Sequence, residues 1–377
     1  MVYCNVQRPR LKRTTETFTA PGGDFHLIRP SDDNDVVVEA PTDEQRELLL
    51  ALDGTHQLEE LEKRFGREEV GQTISQLREL QVIEDAADDD RIPAPERERF
   101  DRQLRCFSDA GGAAPTPSEC QQRLREAKVA VLGVGGLGGA SARSLASCGV
   151  GELRLVDGDR VEASNLNRQT LYTVADIGLL KVEVAAARLR AFYPSMRVTA
   201  TAQRLSGPEE VAEFVAGADV VVDTADWPAF EFERWCNAAC FEAGIPYISM
   251  SHFSWIARVG PFYVPGRTGC YSCQEIAYRR EYPLFDVAMK EAPINGAEAA
   301  TLGPACDQIG GEVAREAMHL LTGLTDPPTL GVAHTQNLLT REVQHAEIVP
   351  QADCPVCSHL PHDHESPEGA VEEPVSG

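Results

Sequence analysis

The sequence predicts an α/β protein: a doubly wound, Rossmann-like, mostly parallel sheet, preceded by a small winged-helix α+β domain. Three observations predict it. Short apolar runs at 128–132, 152–156, 219–223 and 246–250 alternate with helix-patterned segments, the order that builds a parallel sheet with ligand at the strands' C-terminal ends. The first run ends in Gly133-Val134-Gly135-Gly136-Leu137-Gly138, where small residues let backbone N–H groups approach phosphate oxygens at a helix N-terminus. Residues 1–88 instead carry a hairpin pattern followed by three short helix patterns.

The elements follow in order. Residues 25–28 and 36–38 are β-prone runs around the turn-rich Pro30-Ser31-Asp32-Asp33-Asn34, hence a hairpin. Thr42-Asp43-Glu44-Gln45 is a capping-box pattern. It opens a helix through Leu48 to Leu52 that stops at Asp53-Gly54. A second helix spans roughly 58–65, and a third places Val70, Ile74 and Leu77 on one face. Val82-Ile83 closes this unit, and the acidic, Pro-containing stretch 89–96 reads as a linker. Residues 97–357 form the main domain, in which 140–148 is the helix behind the glycine loop. Residues 358–377, rich in His, Pro, Glu, Ser and Gly, read as a disordered tail; a solvated tail is preferred over a metal role for His359, His362 and His364.

Composition bounds the function. A net charge of −24 over 377 residues argues against a nucleic-acid or anionic-membrane surface, since both need clustered Lys and Arg. No stretch has the apolar length to span a bilayer, and residues 1–13 lack an apolar signal-peptide core, so a cytoplasmic protein is expected. In that reducing compartment the eleven cysteines should be free or metal-bound.

The glycines at 133, 135, 136 and 138 and Asp157, placed to accept from ribose hydroxyls, also fit an NAD-binding unit. The residues downstream separate the two. Asp157-Gly158-Asp159 is an acidic pair, Ser164-Asn165-Leu166-Asn167-Arg168-Gln169 follows, and Lys181 comes thirteen residues after Arg168. Hydride transfer has no need of Arg168 and Lys181. A departing pyrophosphate does, because fixed positive charge stabilises its growing negative charge. These residues imply ATP bound so that a carboxylate attacks its α-phosphate. Asp223-Thr224-Ala225-Asp226 ends the next apolar run at the same sheet edge, where Asp226 can hold Mg²⁺.

On these residues 97–357 resembles the ubiquitin-activating-type (ThiF/MoeB-type) adenylyltransferases, such as those of molybdopterin synthase and thiamine biosynthesis. The resemblance assigns the glycine loop to 133–138 and the ribose aspartate to Asp157. It places the Asn-x-x-Arg-Gln motif on Asn165, Arg168 and Gln169, and the catalytic lysine on Lys181. The Asp-x-x-Asp-Asn motif falls on Asp223, Asp226 and, discordantly, Trp227. It also implies a homodimer in which Arg102, within Arg99-Phe100-Asp101-Arg102-Gln103, reaches into the partner subunit's site. The first 88 residues resemble the PqqD-type RiPP recognition element, through Leu49-Leu50-Ala51-Leu52-Asp53-Gly54 and Leu77-Arg78-Glu79-Leu80-Gln81-Val82-Ile83-Glu84-Asp85. Such domains clamp a leader peptide as an added strand on the hairpin edge. The alternative for these residues is a dimerisation or stabilising domain.

Cys270-Tyr271-Ser272-Cys273 and Cys354-Pro355-Val356-Cys357 are two Cys-x-x-Cys pairs separated by 80 residues. Four thiolates suit a closed tetrahedral site, hence structural rather than catalytic Zn²⁺. Relatives that form thioesters carry a cysteine in the loop before a Gly-Pro turn; here 292–304 has none. Cys306 follows at an expected helix start, which would lower its pKa, but packing is the preferred role. Cys236 and Cys240 read as core.

The expected chemistry is therefore ATP-dependent adenylation of a peptide or protein C-terminal carboxylate, with ATP, Mg²⁺ and structural Zn²⁺. The fusion to a leader clamp resembles the adenylating enzymes of microcin C and pantocin biosynthesis, and implies a ribosomal precursor peptide as partner. The alternative partner is a Gly-Gly-ending, ubiquitin-like sulfur carrier. A scaffold with a decayed nucleotide site is opposed by Asp157, Arg168, Lys181 and Asp226. The segment 275–300 is a candidate crossover loop over the substrate tail.

Overall fold

The computed structural model describes residues 6–29, 35–110, 115–225, 227–228, 230–291 and 300–361. The chain divides into two compact units, 1–126 with 322–325, and 127–321 with 326–377.

The first unit opens with β1 (Pro9–Leu11), β2 (Glu16–Thr19), β3 (Phe25–Ile28) and β4 (Val36–Val38). Strands β2, β3 and β4 form an antiparallel meander in that order. Every residue of β2 is exposed, which is why no alternation marks it in the sequence. Phe18 stacks on His26 across the pair, with ring centroids 4.7 Å apart. Helices α1 (Asp43–Ala51), α2 (Leu58–Phe65) and α3 (Arg67–Glu79) follow. The box at the start of α1 is made: Gln45 N donates to Thr42 Oγ1 at 3.1 Å, and Thr42 N to Gln45 Oε1 at 3.1 Å. Val70, Ile74 and Leu77 of α3 are buried against Leu27, Leu48 and Leu61.

Strand β5 (Ile83–Asp85) pairs with β1, and a 3₁₀ turn over Ala86–Arg91 leads to α4 (Ala94–Asp109) and α5 (Pro117–Glu126). The acidic stretch at 89–96, read above as a linker, is thus folded. Arg10 holds Asp89 at 2.8 Å and Arg8 holds Asp90 at 2.6 Å. Its acidity answers the arginines at the start of the chain, Arg8 and Arg10; composition alone registered the charge and not the partner.

The second unit contains β6 (Lys128–Leu132), α6 (Gly136–Cys148), β7 (Glu152–Val156), α7 (Lys181–Phe192), β8 (Arg197–Thr201), α8 (Pro208–Val215) and β9 (Val220–Asp223). It continues with α9 (Glu231–Ala243), β10 (Tyr247–Phe253), β11 (Ile256–Tyr263), α10 (Tyr271–Glu281), α11 (Phe285–Glu291), α12 (Gly303–Thr322), β12 (Val332–Asn337) and β13 (Val343–Glu347). One eight-stranded sheet runs β13-β12-β11-β10-β9-β6-β7-β8. Strands β10, β9, β6, β7 and β8 are mutually parallel; β11, β12 and β13 extend the sheet antiparallel. The four apolar runs become β6, β7, β9 and β10, while β8, β12 and β13 carry too many polar residues to stand out, and the apolar β11 is interrupted by Gly260-Pro261. Val129 to Leu132 of β6 are fully buried, as a central strand covered on both faces requires. Chain order reverses on either side of β6, so the glycine loop leaves the sheet at its switch point.

Of the expected tail, residues 362–377, with His362 and His364, lie outside the described residues, as do 292–299 of the expected crossover loop. Among the described residues no helix is long and apolar enough to cross a membrane.

Candidate active site

The glycine loop is shaped by close approach to its neighbours. Gly133 has φ +89°, and a side chain there would meet Thr224 Oγ1 at 3.1 Å. A Cβ on Gly138 would lie 2.0 Å from Gly133 O, so no other residue fits. Thr224 Oγ1 donates to Leu132 O at 2.7 Å, and Tyr172 Oη to Val134 O at 2.7 Å. Burial pushes the Tyr172 phenol up, so it stays a donor.

Asp157 binds this loop. Its Oδ2 accepts from Val134 N at 2.9 Å and its Oδ1 from Asp159 N at 2.8 Å, leaving each oxygen a further lone pair. Lys181, first residue of α7 and 7% exposed, places Nζ 3.0 Å from Asp159 Oδ2. Arg204 Nη2 holds Asp159 Oδ1 at 2.7 Å. Burial works against the Asp159 charge, but hydrogen bonds from Lys181 and Arg204 outweigh it and hold the carboxyl below its ordinary range.

Arg168 is steered by Ser164 O and Asn167 Oδ1, both 3.0 Å from Nη1. Among the described residues it has no carboxylate partner. Asn165 Oδ1 accepts from Glu162 N at 3.0 Å and so caps its own turn. Gln169 is buried, with Oε1 unpartnered. All of these face one cavity of about 710 Å³, lined also by Gly133, Gly135, Gly136 and Gly138. Asp226 lies outside the described residues. Arg102 is exposed on α4 of the first unit.

Sequence reasoning missed Arg204, which no motif marks. It also passed over Thr224, whose position inside Asp223–Asp226 was the available signal. Cys306 sits at the start of α12 as expected and lines the cavity, its Sγ 2.9 Å from where a Gly136 Cβ would be. Its expected pKa lowering is corrected: burial pushes the thiol up, to about 11. The helix terminus does not offset the loss of solvent.

Asp223 ends β9 buried, with Oδ2 unpartnered among the described residues. Burial, then the charge of Glu233, push it up to about 8. The fold therefore favours the protonated acid. That contribution is complete below the ordinary carboxylate range and is lost as pH rises through about 8. The melting temperature should fall between pH 5 and 8, and Asp223→Asn should flatten that fall; identical pH profiles for parent and variant would contradict it.

Cys270, Cys273, Cys354 and Cys357 converge, with all four Sγ atoms within 4.8 Å of one another. Each is fully buried. Cys270–Cys354 and Cys273–Cys357 approach to 3.5 and 3.3 Å, close to the roughly 3.8 Å edge of a tetrahedron built on Zn–S bonds of about 2.3 Å. The donor set and its closure fit a structural zinc.

A phosphate cradle at a sheet switch point, facing a buried lysine and an arginine without a carboxylate, defines a nucleotide-activating α/β enzyme. The ThiF family model matches residues 100–356. The sulfur carrier protein ThiS adenylyltransferase of Escherichia coli (strain K12) is 37% identical over 55% of this chain and 77% of its own length. The molybdopterin-synthase adenylyltransferase of the same strain is 32% identical over 63% and 89%. The solved structure of E. coli MccB with ATP superposes with a TM-score of 0.73 at 24% identity, covering 93% of this chain and 99% of that one. That of PaaA gives 0.71 at 25%, covering 90% and 100%. The chain belongs to the ThiF family, and is an adenylyltransferase.

Proposed function

We propose that this adenylyltransferase activates the C-terminal carboxylate of a ribosomal precursor peptide, held by its leader on the first unit, in peptide natural-product biosynthesis. The observation that carries the reading is coverage. The curated sulfur-carrier and molybdopterin relatives match 55–66% of this chain, and the family model begins at residue 100. The MccB fold spans 93%, and one MccB structure is described as a microcin C7 biosynthetic enzyme in complex with N-formylated MccA. The meander of the first unit offers edge strands, β2 and β4, of the kind to which a peptide adds.

In the proposed step a carboxylate oxygen attacks the α-phosphorus in line. The bond to pyrophosphate breaks, leaving an acyl-adenylate. The glycine loop and Asp157 position the nucleotide, with Asn165 and Gln169 beside it. Arg168, Lys181 and, in a homodimer, the partner subunit's Arg102 stabilise the charge that develops. Asp226 is the residue assigned to Mg²⁺, which supplies charge neutralisation at the phosphates when bound. The buried Cys306 and the absence of cysteine from 292–304 favour direct transfer of the acyl group over a thioester. Cys270, Cys273, Cys354 and Cys357 would hold a structural zinc, which would tie the C-terminal segment to α10.

The sulfur-carrier reading is favoured by identity to the ThiS adenylyltransferase. ATP–pyrophosphate exchange decides between them. Peptides encoded beside the gene should support exchange, and removing the leader should raise KM by about 100-fold with kcat little changed, as loss of a tether does. Free leader added in excess should inhibit. Exchange with a Gly-Gly carrier alone, insensitive to free leader, would overturn the peptide reading.

A further inference from the structure

The parallel pairing of β7 with β8 sets Val156 opposite Thr201. The segments that leave these strands, 157–159 and 203–205, therefore run side by side and both line the nucleotide cavity. They meet at a glycine. A Cβ on Gly158 would lie 2.8 Å from Arg204 N and 3.0 Å from Arg204 Cβ, so only a residue without a side chain lets the two segments close. That contact delivers Arg204 to Asp159. Asp159 is itself fixed: its N donates to Asp157 Oδ1 at 2.8 Å, and its O accepts from Lys181 N at 2.9 Å. Its carboxylate is divided between two cations, Oδ2 to Lys181 Nζ at 3.0 Å and Oδ1 to Arg204 Nη2 at 2.7 Å.

This division sets the charge that Lys181 can offer a phosphate. A lysine with a carboxylate to itself is a neutral dipole, and its field at a neighbouring anion is far weaker than that of a free charge. Two cations on one carboxylate leave one net positive charge. The second cation also releases the first. An ammonium that turns from Asp159 to a phosphate would otherwise abandon the carboxylate; with Arg204 in place, Asp159 keeps a charge-assisted bond. The two cations differ in the way this exchange requires. The Lys181 side chain is 8% exposed and lines the cavity, and its ammonium is a point charge whose donors redirect freely. The Arg204 side chain is 62% exposed. Water screens its own field, while its planar guanidinium suits holding a carboxylate.

Resting on the assignment of Lys181 to the phosphates above, we infer that Arg204 is a positioning residue: it takes over the Asp159 carboxylate and so frees the Lys181 ammonium for the phosphates of ATP.

The test needs neither leader nor carrier. Adenosine and the non-hydrolysable α,β-methylene analogue of ATP are titrated, with Mg²⁺, into the full-length protein by calorimetry; the ratio of the two affinities isolates the phosphates. Arg204→Met should lower that ratio by about 5-fold or more, the scale of one partly screened charge, with adenosine affinity unchanged. Arg204→Lys, which restores a cation for Asp159, should recover most of the ratio. Asp159→Asn removes the carboxylate that needs holding, so Arg204→Met added to it should change the ratio by less than about 2-fold, the sign of coupling between the two positions. An equal loss in both backgrounds assigns Arg204 a direct phosphate contact and overturns the inference, as does an unchanged ratio. Adenosine affinity that falls together with that of the analogue overturns it in favour of a base or ribose contact. Neither ligand carries a peptide, so these results leave the choice between leader peptide and sulfur carrier standing. An analogue that binds the parent no tighter than adenosine overturns the inference together with the phosphate role of Lys181.

Discussion

Lys181→Ala is expected to lower kcat for ATP–pyrophosphate exchange by at least about 100-fold, the usual cost of removing one fixed charge from a developing anion. The effect should be large because Lys181 is 7% exposed, where charge is poorly screened by water. The fold should survive. Asp159, the partner left behind, keeps Arg204 at 2.7 Å and its side chain is 45% exposed, so no charge is stranded in the interior. A melting temperature within a few degrees of the parent, with KM for ATP changed less than kcat, would assign Lys181 to the transition state. Retained exchange would remove it from the mechanism.

Loss of the metal should have the largest effect on stability. Elemental analysis should find about one zinc per chain, and Cys273→Ser or a strong chelator should lower the melting temperature by about 10 °C or more. Cys270 and Cys273 lie at the start of α10, whereas Cys354 and Cys357 follow the last strand. Without an ion, four thiols within 4.8 Å of one another have little to join the two segments. Their burial would then enclose a void rather than a bond. Metal-free protein of unchanged stability would sink the assignment.

How much was legible depended on how local each signal was. Thr42 with Gln45, the apolar face of α3, and the four apolar runs are patterns within one element, set by helix and strand geometry, and all were read. The glycine loop and the cysteine spacings were legible because chemistry there demands particular residue types at particular intervals. Strand β2 was missed because it is exposed on both faces, β12 and β13 because they are polar strands at the antiparallel edge, and β11 because Gly260-Pro261 breaks its apolar run. The stretch at 89–96 looked like a linker because its acidic residues answer arginines some 80 positions earlier.

By itself the sequence determined the α/β class, the glycine loop, the Arg168 and Lys181 pair and the four clustered cysteines, since each follows from spacing along the chain. Only the tertiary structure decided what meets across it. Arg204 reaches Asp159 from 45 residues away, Thr224 closes beneath Gly133, and burial overrides a helix terminus at Cys306. The physical reason is that hydrogen-bond satisfaction and desolvation depend on which atoms surround a group, and those neighbours come from distant segments that no local periodicity encodes.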